Sequence, residues 1–537
     1  MQATSTKPKV RVFQRYDNPE KIILVPDFPI VIIGPLYKEY YREELGFYGN
    51  IATDVDIPTV PEGTLDSDSI IVEIAQKDGT IRELSLANGD YSISGQTISI
   101  VAGLNTRGDI LVSWRDRRSD YTDRFLTLTS VDQINREWGM GDNAPVAVSD
   151  KNPLIFAAKI AMNASGDKVI YCLNCDMTQS AFENALGLIK RERLPYFIVP
   201  LSNEYWVHTK MKNFVEECEQ PDVGYETMAV VAWDFDNTPE LVSSDSGYVE
   251  TGSETILKDD NFNFIFEGVV AGDTLVIGND VYEITNVSDH EVTIGANLTV
   301  GTDIVYVIKS HELDEEEMSI HIYALSQANK HKRLIRVFPD ELHFALDGVT
   351  SADGYLPSYY VSAWLAGRHA ALTPSDSLTN EIVDIVDDIK HSSNYFVESQ
   401  IERIAQGGNT IVVQDYKGSA CYIRREFSAD IDTLEKAEPN ITMQADILAK
   451  TLRKALRPEL GRKNKMSEEN YKKVLHRLSD ICTRVIATLS DDRMQYIGKK
   501  TLVKWIKRDP NRKDGVIVCI SLDSYYTLNN IDVFIYI

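Results

Sequence analysis

Cys172-Leu173-Asn174-Cys175 is a cysteine pair whose spacing could support redox chemistry. A CxxC between a strand and a helix is where one thiolate attacks a disulfide and the second resolves it. The usual proline or aromatic flanks are missing here, and no second CxxC offers a four-thiolate zinc site. Chance spacing of small buried residues is the favoured reading, and a CxxC thiol oxidoreductase is the alternative. Gly139-Met140-Gly141-Asp142-Asn143-Ala144 imitates a dinucleotide-binding turn, but Pro145 follows at once and no strand feeds it. Asp234-Phe235-Asp236-Asn237 begins like a calcium loop, with Pro239 where the glycine should stand, and His311 to Glu317 is an acidic run that reads as a solvated linker. The nine histidines do not cluster, and spacing selects no Ser/His/Asp set. The expectation is a protein that is not an enzyme, with no catalytic residues, metal or cofactor.

Composition points the same way. At 537 residues, 43% hydrophobic and 25% charged, the chain has room for several folded domains. Six scattered cysteines fit free thiols in a reducing compartment. No apolar leader opens the sequence, and its most apolar early stretch, 22–34, is broken by Pro26, Asp27 and Pro29, so neither secretion nor direct membrane insertion is expected. Net charge is −26, but residues 450–514 carry 11 Lys and 8 Arg against 8 Asp and Glu, a local +11, which leaves the rest at −37. An acidic body argues against nucleic acid as a partner, and the basic segment asks for an acidic protein surface.

The elements that would position these residues alternate in type. Residues 22–34 read as one or two buried strands. Short β runs from 69 to 114, separated by Asp78-Gly79, Asn88-Gly89, Ser94-Gly95 and Arg107-Gly108 as hairpin turns, predict a small all-β domain. From 125 onward, strands near 125–128, 168–173, 196–200 and 227–233 alternate with helices near 130–138 (capped by Ser130), 153–162, 179–190 and 208–218, which predicts α/β with parallel central strands. A second β stretch spans 237–311, and Gly407-Gly408-Asn409 reads as a turn from helix to strand. The expected fold class is multidomain α+β and α/β. Its parts are an N-terminal arm and first core strands at 1–56, an inserted β domain at 57–115 and an α/β domain at 116–236. A second inserted β domain follows at 237–312, then continued core at 313–437 and a C-terminal inner domain at 438–537.

The basic segment predicts two helices. In 445–457 an apolar stripe (Ala445, Leu448, Ala449, Leu452, Ala455, Leu456) stands about half a turn from a cationic strip, Lys450, Arg453, Lys454 and Arg457. The next helix, capped by Ser467, carries a stripe from Tyr471 to Leu489 with Lys472, Lys473 and Arg477 off it. These seven cations are the candidate contacts to an acidic partner. At the chain's ends, Val10, Val12 and Phe13 lie in one short β-prone segment, and Ile531, Val533, Ile535 and Ile537 share one face of another. Ends like these are expected to dock into sheets, either the chain's own or a neighbour's, and an assembly protein is therefore the first expectation.

The order of elements resembles a known family. Residues 129–139 and 152–159 with the strand at Val169, the strand Arg333-Leu334-Ile335-Arg336-Val337-Phe338-Pro339, the small-residue helix of 356–370, the turn 401–410 and the closing strands 516–520 and 531–537 are similar to those of contractile bacteriophage tail sheath proteins. The similarity covers roughly 125–234 and 319–537. It implies a virion protein assembled in the host cytoplasm: stacked hexameric rings of itself around an inner tail tube protein, meeting baseplate and tail terminator proteins. Terminal strands would cross between subunits, and the sheath would shorten to drive the tube through a cell envelope. The strip at Lys450 becomes the expected tube contact. A pyocin or extracellular injection device, and a β-rich adhesin, are the competing expectations.

Overall fold

Strand β1 (Ile30–Gly34) is Ile-Val-Ile-Ile-Gly, and all five residues are buried. An apolar run without polar alternation belongs in the middle of a sheet covered on both faces. The computed structural model puts it there. It describes residues 28–58, 63–139, 148–220, 223–233, 238–278, 280–351, 354–389, 396–414, 420–459, 468–508 and 516–525. The expected strands at 9–13 and 531–537, the cap Ser467, the turn beyond Gly139 and residues 234–237 lie outside these.

The chain divides into two compact units, one of Met1–Trp233, Ala328–Ser392 and Gly408–Ile537, the other of Asp234–Gln327 and Ser393–Gly407. In the first unit an eight-stranded sheet runs β2-β3-β1-β4-β5-β6-β7-β8, with β2 Leu126–Leu128, β3 Ile170–Asn174, β4 Phe197–Pro200, β5 Met228–Ala232, β6 Leu334–Phe338, β7 Thr410–Gln414 and β8 Cys421–Arg425. The strands from β3 through β7 are parallel, as expected, and β2 and β8 close the edges antiparallel.

Alternation along β1 sends Ile30 and Ile32 to one face and Val31 and Ile33 to the other. The first face is covered by α2 (Pro153–Ser165) and a later helix, α5 (Tyr359–Ala371); the second by α3 (Gln179–Glu192) and α4 (Tyr205–Glu219). Ser130 caps α1 (Val131–Trp138), its Oγ accepting from Gln133 N at 3.1 Å. Small residues let α2 and α5 approach closely: a Cβ on Gly367 would sit 2.8 Å from Ala164 Cβ.

The first β region starts earlier than expected. Strand Tyr37–Tyr48 pairs with Gly108–Arg118, so the region runs from 37 to 118 rather than 57 to 115. Its core holds Tyr48, Val72, Ile74, Ile98, Ile110 and Val112. Gly79, Gly89 and Gly95 take the left-handed conformation that turns require, with φ of 86°, 71° and 61°. Arg107-Gly108 corrects the sequence reading, because Gly108 starts a strand between Tyr48 and Gln76. A Cβ there would strike the Ala75 carbonyl, so close backbone approach, not a turn, selects glycine.

In the second unit the strands Glu240–Val249, Ile256–Lys258, Glu291–Ile294, Asp280–Val287, Thr274–Ile277 and Gly301–Lys309 form a closed barrel in that order. The expected core segment from 313 is also corrected, since helices Glu315–Ala328 and Glu398–Ala405 fall chiefly in this unit. The acidic run is a helix start. Glu317 N donates to Asp314 Oδ1 at 2.9 Å, and Asp314 N donates to Glu317 Oε2 at 3.1 Å, a reciprocal capping box.

Candidate assembly surface

Helix α6 (Pro439–Leu456) begins with Pro at its first turn and is buried almost all round for its first half. Asn440, Gln444 and Asp446 are polar residues inside that buried half. Ala445, expected on the apolar stripe, is exposed instead. Buried polar groups need partners, and two of these form the attachment of the C-terminal region to the sheet. Asp446 accepts from Arg333 Nη2 at 2.7 Å and from the Tyr196 hydroxyl at 2.7 Å, joining α6 to β6 and to the start of β4.

Gln444 makes a backbone-like pair with Tyr525. Its Nε2 donates to Tyr525 O at 3.1 Å, and Tyr525 N donates to its Oε1 at 2.9 Å. The chain is thereby clamped at the last described residue before the β-patterned 531–537. Asp523 adds a second clamp, its carboxylate accepting from Lys500 N at 3.0 Å and its own N–H donating to Thr501 Oγ1 at 3.0 Å.

Between these clamps lies the hairpin of β9 (Leu502–Arg508) and β10 (Val516–Ser521), paired antiparallel from Leu502↔Ser521 to Arg508↔Val516. It forms a sheet of two strands, and no other described strand pairs with either edge. Val503 and Ile520 pack on a small core with Ile447, Leu448, Val485, Ile486 and Leu489 from α6 and α7 (Glu468–Leu489). Leu502 is 51% and Trp505 41% exposed. A two-stranded sheet with apolar surface in water is marginal by itself, and open edges are templates for further strands.

The seven expected cations do not form one strip. Lys450 is half-buried, with its ammonium 4.2 Å from the Tyr196 ring centroid. Burial lowers its pKa to about 8, against the pull of Asp446 and Glu226. Arg453 is bound to Glu226, with one bond at 2.7 Å, and Arg477 pairs with Glu459 at 2.7 Å. Lys454, Arg457, Lys472 and Lys473 are exposed. Beside them the first half of the α7 stripe, Tyr471, Val474, Leu475 and Leu478, is only half-covered. Sequence reasoning missed Gln444, Asp446, Glu226 and Tyr196; polar residues recurring at 440 and 444 in an otherwise apolar stretch were the available signal.

Among the described residues no group of three or more histidine, cysteine, aspartate or glutamate side chains converges as a metal site, and no helix is long and apolar enough to cross a membrane. Cys172 and Cys175 are both buried and unbonded, and burial raises the pKa of each, away from the thiolate that disulfide exchange needs.

No protein-family model and no curated protein matches this chain. Solved structures do. A sheath tail protein from Desulfitobacterium hafniense is similar over 95% of this chain and 100% of its own, with a TM-score of 0.39 and 11% identity. One from Listeria innocua is similar over 94% and 93%, with a TM-score of 0.41 and 10% identity. The helical sheath of the anti-feeding prophage in its contracted state is similar over 78% and 89%, with a TM-score of 0.47 and 9% identity. At such values the case for function rests on this chain's own residues.

Proposed function

We propose that this chain is the sheath subunit of a contractile tail or tail-like injection device, a structural protein that polymerises with itself. One observation carries the reading: a two-stranded sheet, β9–β10, with both edges unpaired among the described residues, clamped through Gln444 and Tyr525 a few residues before the β-patterned stretch 531–537. In an assembly, Ile531, Val533, Ile535 and Ile537 of one copy, and Val10, Val12 and Phe13 of another, would extend that sheet. Each backbone hydrogen bond is worth about 0.5–1.5 kcal/mol net, so a seven-residue strand contributes a few kcal/mol per junction. Several junctions per subunit hold a lattice together while subunits turn. Stacked hexameric rings around an inner tube, contact with baseplate and terminator proteins, and contraction that pushes the tube through an envelope complete the proposal. Phage tail and injection device share this chemistry, and the genes beside this one would separate them.

Electron microscopy of the purified chain tests the reading. Striated cylinders are expected from the full chain. Removal of residues 531–537 should leave a monomer with an unchanged melting profile that no longer polymerises, and cylinders from the truncated chain would refute strand exchange.

A further inference from the structure

The β region of residues 37–118 ends in a groove that the assembly reading does not use. Three chain segments meet there: the end of strand Tyr37–Tyr48, the turn after Ile71–Gln76, and the loop entering Gly108–Arg118. They enclose an open groove of about 650 Å³. Its walls are built rather than slack. Asn50 and Asn105 both hold left-handed backbone, with φ of 68° and 54°, a conformation asparagine tolerates better than most residues. Asn105 N donates to Asn50 Oδ1 at 2.9 Å and locks the two loops together. Strained residues held by their surroundings are common where a ligand is clamped.

One buried polar group beside this groove lacks a partner. Thr106 is 4% exposed, and its hydroxyl has no hydrogen-bond partner among the described residues. Phe47, 54% exposed, presents its ring at the same groove. Lys77 and Arg107 stand against one carboxylate, Asp78, so this wall of an acidic protein is locally cationic. Asp78 itself is fixed by Thr80, whose Oγ1 donates to it at 2.6 Å.

An aromatic ring, amide side chains and a fixed carboxylate suit a ligand with an apolar ring face and several hydroxyls, and the two cations suit an acidic substituent. We infer that this groove binds an acidic saccharide of the uronate class. The sugar's C–H face lies on Phe47, its hydroxyls meet Asn50, Asn105 and Asp78, and its carboxylate meets Arg107 with Lys77. The inference stands apart from the sheath reading, since it needs no assembly.

Calorimetric titration of the full chain with digalacturonate, with neutral galactobiose and with inorganic phosphate tests it. Saturable binding of digalacturonate is expected, with galactobiose and phosphate each weaker by at least about tenfold. Arg107→Gln, at an exposed position, should weaken digalacturonate by about tenfold with an unchanged melting temperature. No binding by the full chain, equal binding of galactobiose or phosphate, or undiminished binding by Arg107→Gln would each overturn the assignment.

Discussion

Asp446 joins three distant parts of the chain, because it accepts from Arg333 and Tyr196 while sitting in α6. Removing one partner of a buried ion pair leaves the other charge without compensation. Asp446→Asn should therefore destabilise the protein by about 3–5 kcal/mol, read as a lower denaturant midpoint, and a loss under about 1 kcal/mol would show that the pair carries little. Lys450 gives a pH signature. Its folded pKa is about 8 because burial disfavours the ammonium, whereas an unfolded lysine titrates near 10.4. Between those values the unfolded chain binds more protons, so stability rises with pH from about 8 to about 10. The window closes near 10, where unfolded tyrosines ionise while burial keeps Tyr196 neutral. Melts across this range should show the rise in the native protein and a flatter profile for Lys450→Met.

At the scale of elements, the α2–α5 contact depends on small side chains. Gly367 faces the Ala161 carbonyl and the Ala164 methyl so closely that no larger residue fits without moving a helix. Gly367→Leu should cost at least about 1–3 kcal/mol through overpacking and lower the melting temperature by several degrees. A wild-type melt from that variant would mean that the helices can separate freely. The hairpin β9–β10 is the opposite case, an element with too little cover rather than too much. Its exposed Trp505 and Leu502, and the half-covered stripe of α7, are surface that a neighbouring copy would bury.

For the whole molecule, the charge map and the fold together narrow the tube-contact proposal. Lys450, Arg453 and Arg477 are committed to Tyr196, Glu226 and Glu459 within the chain, so on the proposed sheath reading the candidates for the outward contact narrow to the exposed Lys454, Arg457 and Lys472. If the chain is the sheath subunit proposed above, exchanging Lys454 and Arg457 for glutamate should reduce its co-sedimentation with the inner tube protein and leave the monomer's melt unchanged, since exposed charges contribute little to folding. Exchanging Lys450 for glutamate should instead lower the melt, because it sets a third carboxylate beside Asp446 and Glu226. Co-sedimentation that ignores the first pair would move the tube contact elsewhere on the chain.

Much of this protein can be read from short stretches of sequence. The parallel strands are continuous apolar runs, Ser130 announces its helix, and Asn88-Gly89 announces its turn, because each signal is carried by neighbours in the chain. The misreadings share a cause as well. Gly108 looked like a turn because its contact is the backbone at Ala75. Lys450 looked like part of a solvent strip because the ring that covers it belongs to Tyr196, and the residues around Asp446 come from 250 and 113 positions away. Periodicity tells which side chains share a helix face, but not what lies against that face. The sequence by itself thus determined the elements, their parallel order and the acidic body with its basic segment. Only the tertiary structure decided which charges are used inside the fold and which sheet edges have no partner among the described residues, because burial depends on partners that no local pattern encodes.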